Sequence, residues 1–304
     1  PSSGAVHVGE DLELLPDGRK SGVRFIQSYQ LQADQVEANV CGALNLRHIE
    51  LDGVRRGMTV AVPGAYRPTE ALVALLHNVN ESHTLKRRSE VKFHTGTAVL
   101  AGTCRLVDRD ELPPGEDAVV QITLTEPLVV AAGDRYIVRL PSPAATVGGG
   151  VVLSARGEQK LNARTGHVKA RLDAARRAIE GGDLLAAELL VGPSGLIAES
   201  EVLRLTQQVP EVARQTLAAK EASGELERLG GGVWLVASRL EETAAAMKAA
   251  LRAYHTEFPY SVGMDAIQAC RFLGLDLAVF PQLTAALCRD ADLVVRHERL
   301  ALAS

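Results

Sequence analysis

The feature that most constrains this chain is a change of hydrophobic period near residue 155. From Val8 to Leu153, short apolar runs or apolar/polar alternations are closed by turn residues. Beyond Arg156 the apolar residues recur at helical spacing. The segment Pro141–Leu153, PSPAATVGGGVVL, closes the β-patterned half and hands the chain to the helical one. One sheet or one bundle cannot serve both patterns, so at least two architectures are expected. A chain of 304 residues with 46% apolar content is long enough to build several cores.

The β-patterned half itself divides. LELL, VRFIQSYQ, ALNL and MTVAV, punctuated by PDGRKSG and Pro63-Gly64, predict a small closed or half-closed barrel over residues 1–68. Its abrupt start suggests that earlier strands are missing and that the sequence is a fragment. ALVALLH, EVKFHTGTAVLAGTCRLV, DAVVQITLTEPLVV and DRYIVRL, separated at Pro113-Pro114-Gly115 and Ala132-Gly133-Asp134, predict a second antiparallel barrel over 69–157.

After the barrels, HVKARLDAARRAIEGGDLLAAELLV, ESEVLRLTQQ and PEVARQTLAAKEASGEL read as helices, and ELERLGGGVWLVAS as a hairpin turning on glycine. Three helices and a terminal hairpin predict a winged helix over 166–238. The order recurs over 239–304: LEETAAAMKAALRAYHTEF, MDAIQACRFL and LAVFPQLTAALCRD, then DLVVRHERLALAS as a hairpin turning at His297-Glu298-Arg299. The expected fold is therefore multidomain, two antiparallel β-barrels followed by two winged-helix domains.

Several function classes are disfavoured. No apolar stretch is long enough for a membrane span, and PSSGAVHVGE has no signal-peptide pattern, so a cytoplasmic, membrane-free protein is expected. Cys41, Cys104, Cys270 and Cys288 form no C-x-x-C pair, which argues against a zinc cluster and for reduced, mostly buried thiols. No triad order, H-E-x-x-H or Cys-His pairing suggests an enzyme. There is no G-x-x-x-x-G-K-[ST] loop, and neither Gly148–Gly150 nor Gly230–Gly232 is followed by a lysine and a helix start. This chain by itself is expected to bind no GTP and to need no cofactor or metal. The net charge of −4 disfavours non-specific DNA coating, although local basic faces remain.

Two barrels followed by winged helices, with GEDLELLPDG, ALNL, the Arg56-Gly57 pair in GVRRGMTVAVPG, KFHTGTAVL and PSPAATVGGGVVL, resemble the bacterial selenocysteine-specific elongation factor (SelB) family. The barrel motifs are shared with other translational GTPases such as elongation factor Tu. The segment AYHTEFPYSVGMDAI, Ala253 to Ile267, is the discriminating one. The resemblance implies a monomeric, non-catalytic fragment that cradles selenocysteinyl-tRNA in its barrels, works on the ribosome and extends toward an mRNA stem-loop. That stem-loop is read mainly by the last of about four winged helices in the family, so two should bind it weakly or not at all. GTP and magnesium belong to a GTPase domain outside this chain. The alternatives are the C-terminal part of another translational GTPase, or a winged-helix DNA-binding regulator. Against the regulator, PEVARQTLAAKEASGEL and LAVFPQLTAALCRD are poor in outward Arg, Asn and Gln.

Within that resemblance, LKRRSEVKFHTG gathers Lys86, Arg87, Arg88, Lys92 and His94 as tRNA-binding candidates. On a strand Lys92 and His94 share one face while Val91 and Phe93 pack on the other; a solvated charge cluster is the competing reading. Arg55 and Arg56 are candidates for the aminoacyl pocket, since a selenol should ionise below the roughly 8.5 of a thiol and favour a cationic site; a structural corner arginine is the other reading. Where the family shows Gly-Gln-Arg before Ala-Leu-Asn, this chain has Asn39-Val40-Cys41-Gly42, which places Cys41 where a pocket arginine would stand. A second basic group, His167, Lys169, Arg171, Arg176 and Arg177, reads either as RNA contact or as a solvated helix surface. Tyr254, His255 and Trp234 read as packing residues.

Overall fold

The computed structural model describes residues 4–157, 161, 166–191, 195–199, 201–202, 210–230, 232–273, 277, 280–289 and 292–303. It comprises two compact units, Pro1–Ala155 and Arg156–Ser304.

The first unit opens with β1 (Ala5–His7), β2 (Asp11–Leu15), β3 (Arg19–Ser28), β4 (Leu31–Ala33), β5 (Gln35–Glu37), β6 (Ala43–Leu46) and β7 (Thr59–Ala61). The main sheet runs β4-β3-β2-β7 with β6 added along β3, while β1 pairs with β5. Alternation on β2 turns Leu12 inward, and a register shift between Val23 and Phe25 on β3 lets both Val23 and Ile26 join it, where they meet Val36 in a small core. This curled sheet is open.

The strands that follow close fully. They are β8 (Thr69–Asn78), β9 (Leu85–Lys86), β10 (Arg88–Thr95), β11 (Ala98–Leu106), β12 (Glu111–Leu112), β13 (Asp117–Leu128), β14 (Arg135–Arg139) and β15 (Thr146–Ser154). The closed barrel runs β10-β11-β13-β8-β15-β14, with β9 and β12 paired beside it. Leu72, Leu76, Phe93, Leu106, Ile122, Val138 and Val152 fill the interior. Phe93 stacks on Tyr136 at 5.1 Å between centroids, and the buried Tyr136 hydroxyl donates to the Leu75 carbonyl at 2.7 Å.

Gly148–Gly150 lie inside β15 rather than at a strand end. β15 runs between β8 and β14, and a Cβ at Gly148 would collide with the His77 carbonyl oxygen, one at Gly149 with that of Tyr136 and one at Gly150 with that of Leu75. Only glycine leaves room for backbone on both sides.

The second unit repeats helices followed by a hairpin. The first round comprises α1 (Gly166–Glu180), α2 (Leu184–Val191), β16 (Leu196–Ala198), α3 (Pro210–Ala222), β17 (Leu226–Gly230) and β18 (Val233–Val236). The second comprises α4 (Ala237–Glu257), β19 (Met264–Asp265), α5 (Ala266–Leu273), α6 (Phe280–Leu287), β20 (Leu293–Arg296) and β21 (Arg299–Leu302). Each round carries a three-stranded sheet, β16-β18-β17 and β19-β21-β20, giving two winged helices. None of the described helices is long and apolar enough to cross a membrane.

The single helix expected over HVKARLDAARRAIEGGDLLAAELLV is two. Gly182 takes φ +77°, and Asp183 Oδ1 accepts from the Ala186 N–H at 3.0 Å, capping α2. Most of ESEVLRLTQQ lies outside the described residues. The strands β16 and β19, of three and two residues, were too short for any period to announce.

β18 is apolar throughout because both its faces are covered. Trp234 and Val236 join the first winged helix's own core, with Leu185, Leu189, Ile197 and Leu217. Val233 and Leu235 enter a second core, with Met247, Leu251, Leu283, Leu293 and Leu300 of the second winged helix. Leu196 and Ile197 of β16 divide the same way.

Gly150→Ala is expected to destabilise the barrel by about 3 kcal/mol, as overpacking against backbone does. The loss should appear as reduced hydrogen-exchange protection of the Leu75 and Leu76 amides, and unchanged protection would show that β8 and β15 do not need the missing Cβ.

Candidate nucleic-acid interface

β10 alternates Arg88, Glu90, Lys92 and His94 on the barrel's outer face with Val91 and Phe93 on its inner one. The antiparallel register sets Arg88 opposite Arg105 on β11, and Lys92 opposite Arg139 on β14. Opposed side chains in a sheet sit about 5 Å apart, and like charges there cost roughly 0.2–1 kcal/mol each. The outer face of this barrel therefore sets two pairs of cationic residues opposite one another in the register. Glu90, opposite Thr103, is the carboxylate nearest to both along the strand.

The five candidates on LKRRSEVKFHTG separate into two groups. Lys86 Nζ pairs with Glu111 and Arg87 Nη1 with Asp110, both at 2.5 Å, across the β9–β12 pairing and the turn before it. Arg88 and Lys92 are exposed, and neither they nor Arg139 meets a carboxylate within ion-pair distance among the described residues. Arg105 is held by the Gln121 side chain, and its pKa is lowered by burial and then by Arg87. The field of Lys86 and Arg87 is largely cancelled locally, and that of Arg88, Lys92 and Arg139 is not.

His94 does not add a positive charge at neutral pH. Partial burial first, then the charges of Arg139 and Lys92, hold its pKa below the ordinary 6.5, and its Nε2 is buried without a hydrogen-bond partner. It is a proton acceptor waiting beside two cations, and a phosphate placed there would raise its pKa.

Arg105 and Arg139 were missed in the sequence because they reach β10 only through strand pairing, Arg105 from the far end of the β10–β11 hairpin and Arg139 from β14. The available signal was period two: DRYIVRL puts Arg135 and Arg139 on the face opposite Tyr136 and Val138, all four confirmed by burial. The helical basic group gathers less. Arg171 is bonded to Glu242 at 3.2 Å and Arg176 to Glu180 at 3.0 Å, while Lys169 and Arg177 are exposed. The His167 side chain lies outside the described residues.

Arg56 and Gly57 bridge the open sheet and the closed barrel. Arg56 Nε donates to the Thr97 carbonyl at 3.3 Å, and the Gly57 N–H donates to Thr97 Oγ1 at 3.2 Å, at the turn between β10 and β11. Gly57 has φ +100°, and a Cβ there would stand 3.1 Å from both Ala98 Cα and Ala98 Cβ. Arg55 is exposed. Cys41 is exposed on the segment after β5, with its carbonyl accepting from Ser28 Oγ at 3.0 Å. Cys104, by contrast, is buried in the barrel, and burial pushes its thiol up to about 12. Tyr254 packs on Phe258 at 4.9 Å, and the buried Trp234 carries the Arg228 guanidinium 5.4 Å from its ring centroid.

Comparison with known proteins converges on one family. A family description, the β-barrel domain of selenocysteine-specific elongation factor, matches residues 73–159, the closed barrel. The selenocysteine-specific elongation factor of Desulfomicrobium baculatum is 32% identical over 268 residues, covering 86% of this chain and 42% of that protein. The bacterial selenocysteine-specific elongation factor EF-Sec has the same fold with a TM-score of 0.63 at 20% identity, over 99% of this chain and 46% of that one. The chain thus spans less than half the length of these relatives.

Gly57→Ala is expected to lower stability by about 1–2 kcal/mol through a disfavoured backbone and a tight contact with Ala98. A urea midpoint equal to that of the unsubstituted chain would rule out a tight junction at this turn. Binding of a phosphate-bearing ligand to the barrel face is expected to tighten as pH falls below about 6.5, because a bound phosphate raises the pKa of His94 and so favours proton uptake. His94→Ala should flatten that pH dependence, measured by fluorescence anisotropy.

Proposed function

Because this chain belongs to the selenocysteine-specific elongation factor family, we propose that it holds selenocysteinyl-tRNA on the outer face of its closed barrel. The observation that supports this most directly is the pair of facing cations, Lys92 with Arg139 and Arg88 with Arg105. Such an arrangement lowers stability unless an anion lies across it, and a nucleic-acid backbone supplies phosphates at regular spacing. Arg88, Lys92 and Arg139 are the proposed phosphate contacts, with His94 joining when protonated. Lys86 and Arg87, already paired with Glu111 and Asp110, contribute less.

In this reading residues 1–68 and 69–157 are the two translation-factor barrels, and 166–238 and 239–304 the two winged helices. Arg55 is proposed to meet the aminoacyl end, since the Arg56 guanidinium is occupied at Thr97. The winged helices are proposed to extend toward the mRNA stem-loop and to bind it weakly. The chain positions RNA on the ribosome and does no chemistry of its own; GTP and magnesium are proposed to belong to a GTPase domain outside these residues.

Salt-dependent binding of the selenocysteine-specific tRNA tests the proposal. Lys92→Ala/Arg139→Ala should weaken binding and reduce the slope of log affinity against log salt by about two. Lys86→Ala/Arg87→Ala should change both less. An unchanged slope in the first double variant would refute the assignment of the tRNA to this face.

A further inference from the structure

The second winged helix carries a basic cavity that neither core packing nor the barrel face accounts for. It measures about 610 Å³ and is lined by Arg252 and His255 from the last turns of α4, Ser261 from the following loop and Arg296 from the end of β20. Among the described residues no carboxylate lines it. A helix C-terminus by itself attracts cations, which would explain Arg252 and His255. It does not explain Arg296, which reaches the cavity from a different element and is anchored there by donating to the Ala303 carbonyl at 3.1 Å. Asp292, whose carboxyl feels Lys248 first and Arg252 last, is paired with Lys248 at 2.5 Å.

The loop beside the cavity ends in an unusual display. Tyr260, one residue before the lining Ser261, is 100% exposed, and Phe258 is 47% exposed. The loop is nevertheless tied down. The Phe258 N–H donates to the Tyr254 carbonyl at 2.7 Å, the Ser261 N–H to the Phe258 carbonyl at 3.0 Å, and the Phe258 ring rests on Tyr254. At the loop's far end Gly263 passes so close to the Leu300 carbonyl that a Cβ would collide with it, and Arg299 Nη1 donates to the Gly263 carbonyl at 3.1 Å. An aromatic ring held bare on an ordered loop is a ready surface for stacking, and it incurs little ordering cost on binding.

We propose that this corner binds an unpaired nucleotide of an RNA, its base stacked on Tyr260 and its flanking phosphates held in the cavity by Arg252 and Arg296. Single-stranded and looped RNA is recognised by this combination of an aromatic face and neighbouring arginines. That the nucleic acid is RNA rests on the translational reading above; the stacking and phosphate contacts rest on this corner alone. The bare aromatic favours a nucleic acid over an acidic protein, which would need only the cations.

Fluorescence anisotropy with the whole chain tests this, using two RNA hairpins that differ only by one bulged adenosine. Tyr260→Ala should weaken the bulged hairpin about tenfold, as loss of one base stack does, and leave the fully paired hairpin unchanged. Arg252→Ala/Arg296→Ala should weaken both and reduce the salt slope by about two. Tyr260 and Arg252 are exposed, so the variants should fold, and circular dichroism checks that they do. The same Tyr260 effect should persist in the Lys92→Ala/Arg139→Ala background. Loss of tRNA binding there with the Tyr260 effect intact would leave this corner standing independently of the barrel face. Equal affinities of the Tyr260→Ala and unsubstituted chains for the bulged hairpin would overturn the proposal, as would displacement of that hairpin by poly-glutamate at the same charge concentration as by unlabelled RNA.

Discussion

In the first unit the approach of β15 to both its neighbours governs what the rest can be. Backbone from β8 and β14 comes in on either side of Gly148–Gly150, closer than any side chain would permit. That contact lets β14 continue round to β10 and removes the free edges a flat sheet would leave. The closing register then decides which residues stand opposite one another, and it brings Arg139 to Lys92 across 47 positions of sequence. A one-residue slip would turn Arg139 inward and Val138 out, so the charge arrangement and the filled interior stand or fall together.

The cations on that face run against the sheet's own stability. Elsewhere in the same unit charges are neutralised locally: Lys86 with Glu111, Arg87 with Asp110, Arg109 with Glu116. Exposed pairs of this kind contribute little individually, but their distribution shows where neutralisation is absent. The contrast between β9 and β10, adjacent in sequence and opposite in pairing, supports the proposed tRNA face more sharply than the count of basic residues in the segment does.

Much of the architecture was legible because period is a local property. The alternation in EVKFHTGTAVLAGTCRLV and the helical spacing of LEETAAAMKAALRAYHTEF each reflect one face of one element. What local pattern could not supply was partnership. Arg105 and Arg139 join the cations of β10 only through strand pairing, Arg56 reaches Thr97 across the junction, and the need for glycine at Gly148–Gly150 comes from neighbouring backbone that no local pattern shows. The break at Gly181-Gly182 was written in the sequence and overridden by the strong helical pattern around it; the αL geometry of Gly182 and the Asp183 cap decide it. The reading of Trp234 as a packing residue gave one face of VWLV; that Val233 and Leu235 are covered from the other side depends on the second winged helix.

That cover has a mechanical meaning. Because Val233 and Leu235 are roofed by Met247, Leu283 and Leu300 while Trp234 faces the other way, the wing of one module is the floor of the next. The two modules share one apolar seam, and neither can be excised as a portable cassette without stripping that surface bare.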